Sequence, residues 1–454
     1  MPLSEAAIKE LDNRVLGEVV APDAPGYDEC RSVFNERVKR RPVVIVRCAG
    51  TADVIHAVRF ARQHGVKVSV RGGGHGATGH AVVDDAILLD LRPMGAVHVD
   101  RESRTALVQG GAMWSDVNHE TAPFDLVAAG GTCDMVGVGG HTLGGGWGYL
   151  ARSMGLAIDT LRRADVVTAD GSFVSASAEH NVDLFWALRG GGGGNFGVVT
   201  AFEFELTPFS LAKPELYGGS LTWPYEKAAP VLETFCQLLP SVPREIYLDF
   251  SCVSAGGDGA IPCITAVSRL SKDKTDAVLA PFLAIGDSPD TLAAVSYADL
   301  LDTYAKEIHQ GRSQLWKSGF LRQPVGADAI KAVVDHCRRA PTEFCLFFVE
   351  PLGGRIASVA PDATAFVHRG ELMCATIIGV WTEPRQATDT LAWTKSFYAA
   401  LDCARSGGAY VNYADDDLAD WKVAYYGANY DRLARLRRQY DPDGLFTFPQ
   451  AIGR

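Results

Sequence analysis

The chain lacks several features that would fix its class at once. None of its ten cysteines (30, 48, 133, 236, 252, 263, 337, 345, 374 and 403) forms a C-x-x-C pair, so they read as scattered reduced thiols of a cytoplasmic protein. No run of lysine or arginine stands out against a formal charge of -11, from 54 acidic and 43 basic residues. The basic stripe that nucleic-acid binding needs is therefore missing. No apolar stretch reaches the roughly 18 residues of a membrane-spanning helix. The opening "MPLSEAAIKELDNRVLGEVV" has no basic segment ahead of an apolar block and does not read as a signal peptide. There is no G-x-x-x-x-G-K-[ST] phosphate loop, and no H-E-x-x-H or Cys/His cluster to hold a metal.

These absences leave an ordinary soluble globular chain. Its 454 residues are 47% hydrophobic and 21% charged. The length allows two or three domains, or one large domain with a second inserted in it. The core is large enough to need neither disulfides nor a metal for stability.

Glycine, in contrast, is abundant and clustered. The dense stretches are "RGGGHGATG" at 71–79, "GVGGHTLGGGWG" at 137–148 and "RGGGGGNFG" at 189–197. Glycine admits close backbone approach and positive φ, and successive N–H groups can form an anion nest. One cluster could be a tight turn; three within 200 residues point to a large phosphate-bearing ligand. A dinucleotide fingerprint requires G-x-G-x-x-G between a strand and a helix. The first cluster follows a strand but opens no amphipathic helix. The second has no strand before it. NAD on that fold is disfavoured.

Residues 42–70 read as a βαβ unit. "PVVIV" is a short strand, Thr51 can cap the helix "ADVIHAVRFARQH" with Val54, Val58 and Ala61 on one face, and Gly65 stops it. "VKVSV" is the second strand. "AVHVDRESRTALVQGG" and "RADVVTADGSFVSAS" predict hairpins, the latter turning at Asp170-Gly171. Beyond about residue 210 the glycine clusters stop. "EIYLDFSCV", "CLFFVEPLGG" and "MCATIIGVW" alternate with helical stretches such as "DAIKAVVDHCRRA". That texture predicts a mixed sheet with helices on one face, an α+β domain.

Taken together, "RGGGHGATG", "GTCDMVGVGGHTLGGGWG" at 131–148, "GLAIDTLRRADVVTADG" at 155–171, "DLFWALRGGGGGNFGVVT" at 183–200 and "YVNY…YYGANYDRL…YDPDGLFTFPQ" at 410–450 resemble the vanillyl-alcohol oxidase (PCMH-type) flavoproteins, specifically the berberine bridge enzyme-like branch. The resemblance covers nearly the whole chain. It implies an α+β fold. A two-part FAD-binding domain is built from residues 1–210 and the C-terminal segment 405–454. Between them, at 211–404, lies a substrate domain with an antiparallel sheet covered by helices.

The resemblance also implies site residues. His75 matches the histidine bonded to the flavin 8α-methyl, and Cys133 the cysteine bonded to flavin C6, with Asp134 where proline is common. The cofactor contacts it implies are Arg71, Gly72, Gly73, Gly74, Gly76, Val136, Gly137, Gly139, Gly140, His141, Gly144, Gly145, Val199 and Asn412. His141 matches a donor near the flavin N1–C2 edge. Val136 stands where valine accompanies reaction with oxygen. Tyr410 of "YVN" matches a flavin-facing tyrosine that serves as base in several members. Alternation along a strand would put Tyr410 and Asn412 on one side, and a phenol must have its pKa lowered to act.

A neutral imidazole suits His75, and a thiolate favoured by a nearby anion nest suits Cys133. His368 in "AFVHRG" is expected in a structural His–Arg pair, and Trp381 and Tyr217 in the core.

The expected activity is that of an FAD-dependent oxidase with doubly attached flavin. It would take a hydride from an alcohol, a sugar or a natural-product intermediate, with O2 as acceptor and hydrogen peroxide as product. A dehydrogenase using another acceptor, or an oxidative cyclase forming C–C or C–N bonds, is the alternative. The setting expected is a cytoplasmic tailoring step of secondary metabolism with a small-molecule substrate, no nucleic acid and no membrane.

Overall fold

The computed structural model describes residues 3–256, 259–289, 291–301 and 311–453. Three sheets organise it. The first comprises β1 (Glu18–Val20), β2 (Val44–Arg47), β3 (Val68–Arg71) and β4 (Ile87–Asp90), in the order β1-β2-β4-β3. Strands β2 and β3 are both parallel to β4, which lies between them, so the βαβ unit of 42–70 spans a gap that a later strand fills. All four β4 residues are buried, as an apolar strand in a parallel sheet requires.

The connecting helix, Thr51–His64, buries Val54, Ala57, Val58 and Ala61. Gly65 ends it at φ 66°. Its N-cap is Gly50 rather than Thr51. Asp53, in the first turn, instead ties neighbouring chain to the helix: its carboxylate accepts from the N–H groups of Leu16, Gly17 and Ala49 at 2.8–2.9 Å.

The second sheet holds β5 (Val97–Asp100), β6 (Thr105–Gln109), β8 (Leu161–Val167), β9 (Phe173–Ser177) and β10 (Val198–Glu205), in the order β5-β6-β10-β8-β9. Both expected hairpins are present, β5/β6 and β8/β9. Short strands β7 (Leu126–Val127) and β11 (Thr207–Pro208) pair beside it.

The third sheet has seven strands: β12 (Leu216–Thr222), β13 (Ile246–Gly256), β14 (Gly259–Ser268), β15 (Ala293–Val295), β16 (Ser313–Phe320), β17 (Leu346–Pro351) and β18 (Met373–Trp381). The order is β15-β12-β14-β13-β17-β18-β16, and every pair is antiparallel. It is not the mixed sheet that its texture predicts, because every connection between neighbouring strands returns the chain in the opposite direction.

One face of this sheet packs on the helices Ala228–Leu238, Lys272–Leu283, Ala327–Arg338 and Ala387–Ala400. Phe235, Phe250, Phe282, Phe347 and Phe397 are buried between them. Each such ring contributes about 2–3 kcal/mol by leaving water. The opposite face is free to line a cavity.

The C-terminal segment returns to the first sheet. Val68 N–H donates to Leu445 O and Thr447 N–H to Val68 O, both at 2.9 Å. Arg437 ties the same segment to Asn195 in the third glycine cluster, at 2.9 Å. Trp381 and Tyr217 are buried, as expected. Among the described residues no helix is long and apolar enough to cross a membrane.

Candidate active site

A cavity of about 950 Å³ lies between the glycine clusters, the open face of the third sheet and the C-terminal segment. Gly72, Gly73, Gly74, His75, Gly76, Cys133, Val136, Gly137, Gly139, Gly140, His141, Val199, Tyr410 and Asn412 all line it. Strings up to 340 residues apart in sequence therefore meet at one place, Gly72 and Asn412 among them.

The glycines serve two different purposes. A Cβ on Gly73 would lie 2.6 Å from Gly137 Cα, and one on Gly137 would lie 2.4 Å from Gly73 N. There the first two clusters cross backbone on backbone, so neither position can carry a side chain whatever the ligand. A Cβ on Gly76 or Gly140 would meet nothing within 4 Å. Those two leave open space on the cavity wall, where a ligand can approach the backbone closely.

Three expected contacts lie elsewhere. Arg71 is fully buried in an ion pair with Asp90 at 2.8 Å and also donates to Ser32 O. It holds the end of β3 to β4 instead of facing the cavity. Gly144 packs on the Asn412 amide and Gly145 on the Phe366 ring, behind the wall.

His75 stacks on Phe34 with ring centroids 4.0 Å apart and planes at 22°. Burial, aided by His141, pushes its pKa down to about 4, so the imidazole is neutral at physiological pH. Cys133 departs from expectation. Burial pushes its thiol up to about 11; the Asp134 carboxylate adds to this, against the pull of the Met135 and Val136 N–H groups. Burial therefore favours the thiol over the thiolate, and the charge next to it has the wrong sign to offset this.

His141 is held at both ring nitrogens. Trp114 Nε1–H can only donate, so it fixes His141 Nδ1 as acceptor at 3.1 Å. Nε2 then carries the hydrogen and gives it to Trp147 O at 3.1 Å. Burial pushes this imidazole down to about 4 as well. Held so, it has no N–H left for a ligand; its role in the wall is to fix the backbone at Trp147.

Tyr410 is buried, stacked on Trp147 at 3.7 Å and 22°. Its hydroxyl oxygen accepts from Gly146 N–H at 2.9 Å and Asn412 Nδ2 at 2.8 Å. Asn412 gives its other amide hydrogen to His141 O at 2.9 Å. Residues 411–413 form a 3-10 turn, not a strand, and it is this turn that brings Asn412 back onto Tyr410. Burial raises the phenol's pKa rather than lowering it; the two N–H donors work in the opposite direction.

The sheet wall supplies residues that motif reading missed. On β13, Tyr247, Asp249, Ser251 and Val253 face the cavity, while Leu248, Phe250 and Cys252 face the helices. On β17, Leu346, Phe348 and Glu350 face the cavity. Glu350 accepts from Tyr413 Oη–H at 2.9 Å. Burial pushes both Asp249 and Glu350 up to about 7. The signal was available: each is the lone carboxylate within an apolar, alternating strand.

Two other histidines are placed plainly. His80 meets Asp416 at 2.6 Å and lines the cavity. His368 meets Tyr425 O at 3.1 Å and does not pair with Arg369, which forms a two-point ion pair with Asp159 at 2.8 Å.

Comparison with known proteins agrees with this arrangement. Residues 42–177 match the "FAD binding domain" family, and residues 409–453 the "Berberine and berberine like" family. The chain is 30% identical to an uncharacterized FAD-linked oxidoreductase, YgaK, of Bacillus subtilis, over 97% of both chains. It is 31% identical to (R)-6-hydroxynicotine oxidase of Paenarthrobacter nicotinovorans, over 95% of both. Its fold superimposes on 6-hydroxy-D-nicotine oxidase of Arthrobacter nicotinovorans with a TM-score of 0.87 at 28% identity, covering 97% of this chain and 98% of that one. With both its glycine-rich segment and its C-terminal segment matched, and full-length relatives at 30% identity or above, the chain belongs to the berberine bridge enzyme-like FAD-linked oxidoreductases.

Proposed function

We propose that this enzyme is an FAD-dependent oxidase whose flavin is attached at His75 and Cys133. It would take a hydride from a C–H bond of an alcohol, sugar or natural-product intermediate, and pass the electrons to O2 as hydrogen peroxide. The carrying observation is the convergence of His75, Cys133 and Tyr410 with Glu350 on one cavity.

The residues present fit FAD. Gly76 and Gly140 leave room against the backbone, and His75 offers a neutral imidazole stacked on Phe34. When bound, FAD supplies the hydride acceptor. The flavin would be held by 1–210 and 405–454, and the substrate recognised by 211–404. We place the activity in the cytoplasm, in secondary metabolism.

Oxidation of an O–H or N–H substrate needs a group that takes the proton as the C–H bond breaks. Two candidates face the cavity. Tyr410 would act through an oxygen that already accepts two N–H bonds, an arrangement that favours its ionised form. Glu350 supports a second reading: near 7, its carboxyl is tuned to the pH at which it would work, and Tyr413 orients it.

The attachment and the acceptor are tested together. Acid precipitation should leave the yellow colour in the protein pellet, and mass spectrometry should find flavin on the peptides of His75 and Cys133. Free flavin in the supernatant would end the covalent reading. Turnover should consume oxygen and release an equal amount of peroxide; dye reduction without oxygen uptake would make the enzyme a dehydrogenase.

A further inference from the structure

Asp249 is a half-buried carboxyl that the proposed chemistry leaves unused. It stands mid-strand on the cavity face of β13, between Tyr247 and Ser251 on that face, with Thr265 of β14 opposite. The β13–β17 register pairs Phe250 with Val349 and Ser251 with Phe348. Its continuation brings Asp249 beside Glu350, whose ionisation the Asp249 carboxylate opposes.

The rest of the molecule treats buried carboxylates differently. Asp90 has Arg71, Asp159 has Arg369, Asp415 has Lys317 and Asp441 has Arg437, all at 2.6–3.0 Å. Among the described residues neither Asp249 nor Glu350 has such a cation beside it. The side chains acting on Asp249 are Tyr247 and Thr265, and those acting on Glu350, besides Asp249, are Trp147 and Tyr413. Like charges side by side across two strands are unfavourable, and desolvation adds to the cost. A fold that matches four other carboxylates with cations, and gives Asp53 three backbone N–H donors, leaves this pair for something that enters the cavity. The walls beside it are aromatic, with Tyr247, Trp316, Phe348 and Tyr413, surfaces that favour a cation on an apolar body.

We infer that Asp249 is the specificity residue that receives the protonated nitrogen of an arylalkyl- or alkyl-amine substrate, and that it selects such amines over neutral alcohols and sugars of similar size. The inference rests on the cavity's being the oxidase's substrate site. It goes beyond that reading by choosing one substrate class.

The test uses matched pairs that differ only in amine against hydroxyl: tyramine and tyrosol, tryptamine and tryptophol, phenethylamine and phenethyl alcohol. Calorimetry on the holoenzyme at pH 8 measures binding without requiring turnover. At least one amine should bind about tenfold or more tightly than its alcohol, as a charge-assisted contact gives. Asp249→Asn should bring that ratio to within about twofold, and Asp249→Glu should retain part of it. If no pair shows a preference, or the preference survives in Asp249→Asn, the assignment is overturned. Should Asp249→Asn not fold, the wild-type ratios together with Asp249→Glu decide. The visible spectrum reports separately on the oxidase reading, since a colourless protein that still prefers amines would refute the flavin chemistry alone.

Discussion

The two walls of the cavity are built on different principles. The wall formed by the glycine clusters is made of backbone: its shape depends on positions where a side chain cannot exist, such as Gly73 against Gly137. The wall formed by the third sheet is made of side chains on a regular scaffold: alternate residues of β13 and β17 pack on the helices, and the others present their side chains to the cavity. The first wall constrains sequence tightly, and two of its three glycine clusters lie within the residues that match the FAD-binding family. The second leaves its cavity-facing positions open to side chains of different chemistry.

The sharpest way to break this comparison is to add one small group to each kind of position. Gly137→Val puts carbon atoms into the Gly73 backbone, whose nearest atom lies 2.4 Å from the added Cβ, and neither strand of chain can yield. Loss of soluble folded protein is expected, an effect of about 4 kcal/mol or more. Gly140→Ala meets nothing within 4 Å and should fold normally, with a melting temperature near wild type but weakened flavin binding. On the sheet wall, Ser251→Val, at a position that faces the cavity, should also fold. A folded Gly137→Val would show that the glycine wall is not built by backbone contact.

Smaller in effect, and aimed at the chemistry where the walls meet, are Tyr410→Phe and Glu350→Gln. Removing the group that takes the proton should cost about 10²–10⁴-fold in the rate of flavin reduction. The pH profile tells the two apart. With Glu350 as acceptor, the wild-type rate rises through pH near 7, where its carboxyl ionises, and Glu350→Gln abolishes that rise. With Tyr410 as acceptor, the rise lies well into the alkaline range and is lost in Tyr410→Phe. Stopped-flow reduction under anaerobic conditions measures both.

The same contrast explains how much could be read from sequence. The β5/β6 and β8/β9 hairpins and the Gly65 stop were legible because the physics that demands them acts within a dozen residues; the glycine strings, His75 and Cys133 were legible through the family resemblance, since Gly73 is demanded by Gly137, far along the chain. What was not legible depends on distant chain. The insertion of β4 between β2 and β3 is settled by packing. His141 is disabled as a donor by Trp114, 27 residues away, and by the backbone of Trp147. Tyr413 finds Glu350 across 63 residues. Arg71 sits inside the first glycine motif and still faces Asp90, because β4, which supplies that carboxylate, pairs with β3 from later in the chain. A strand read for its apolar pattern hides its single carboxylate, and that carboxylate is what the sheet wall uses.

The smallest effect separates the walls by the sign of their response to pH. Burial raises the Asp249 carboxyl from the ordinary range, about 4, up to about 7. Between those values the folded protein holds a proton that the unfolded chain has released, so stability falls as pH rises through this window. His75 runs the other way. Its pKa is lowered to about 4, and between there and its ordinary value the unfolded chain binds the extra proton, so stability falls as pH falls. Asp249→Asn should therefore stabilise the protein at pH 8 by about 1–3 kcal/mol and do nothing at pH 4. His75→Gln, compared in the flavin-free protein, should show its gain only toward pH 4. Chemical denaturation of each variant at both pH values checks the pattern. A stabilised Asp249→Asn that has also lost its amine preference would mean that the sheet wall sacrifices stability for recognition, whereas equal stability at pH 8 would mean that the fold already neutralises this carboxylate.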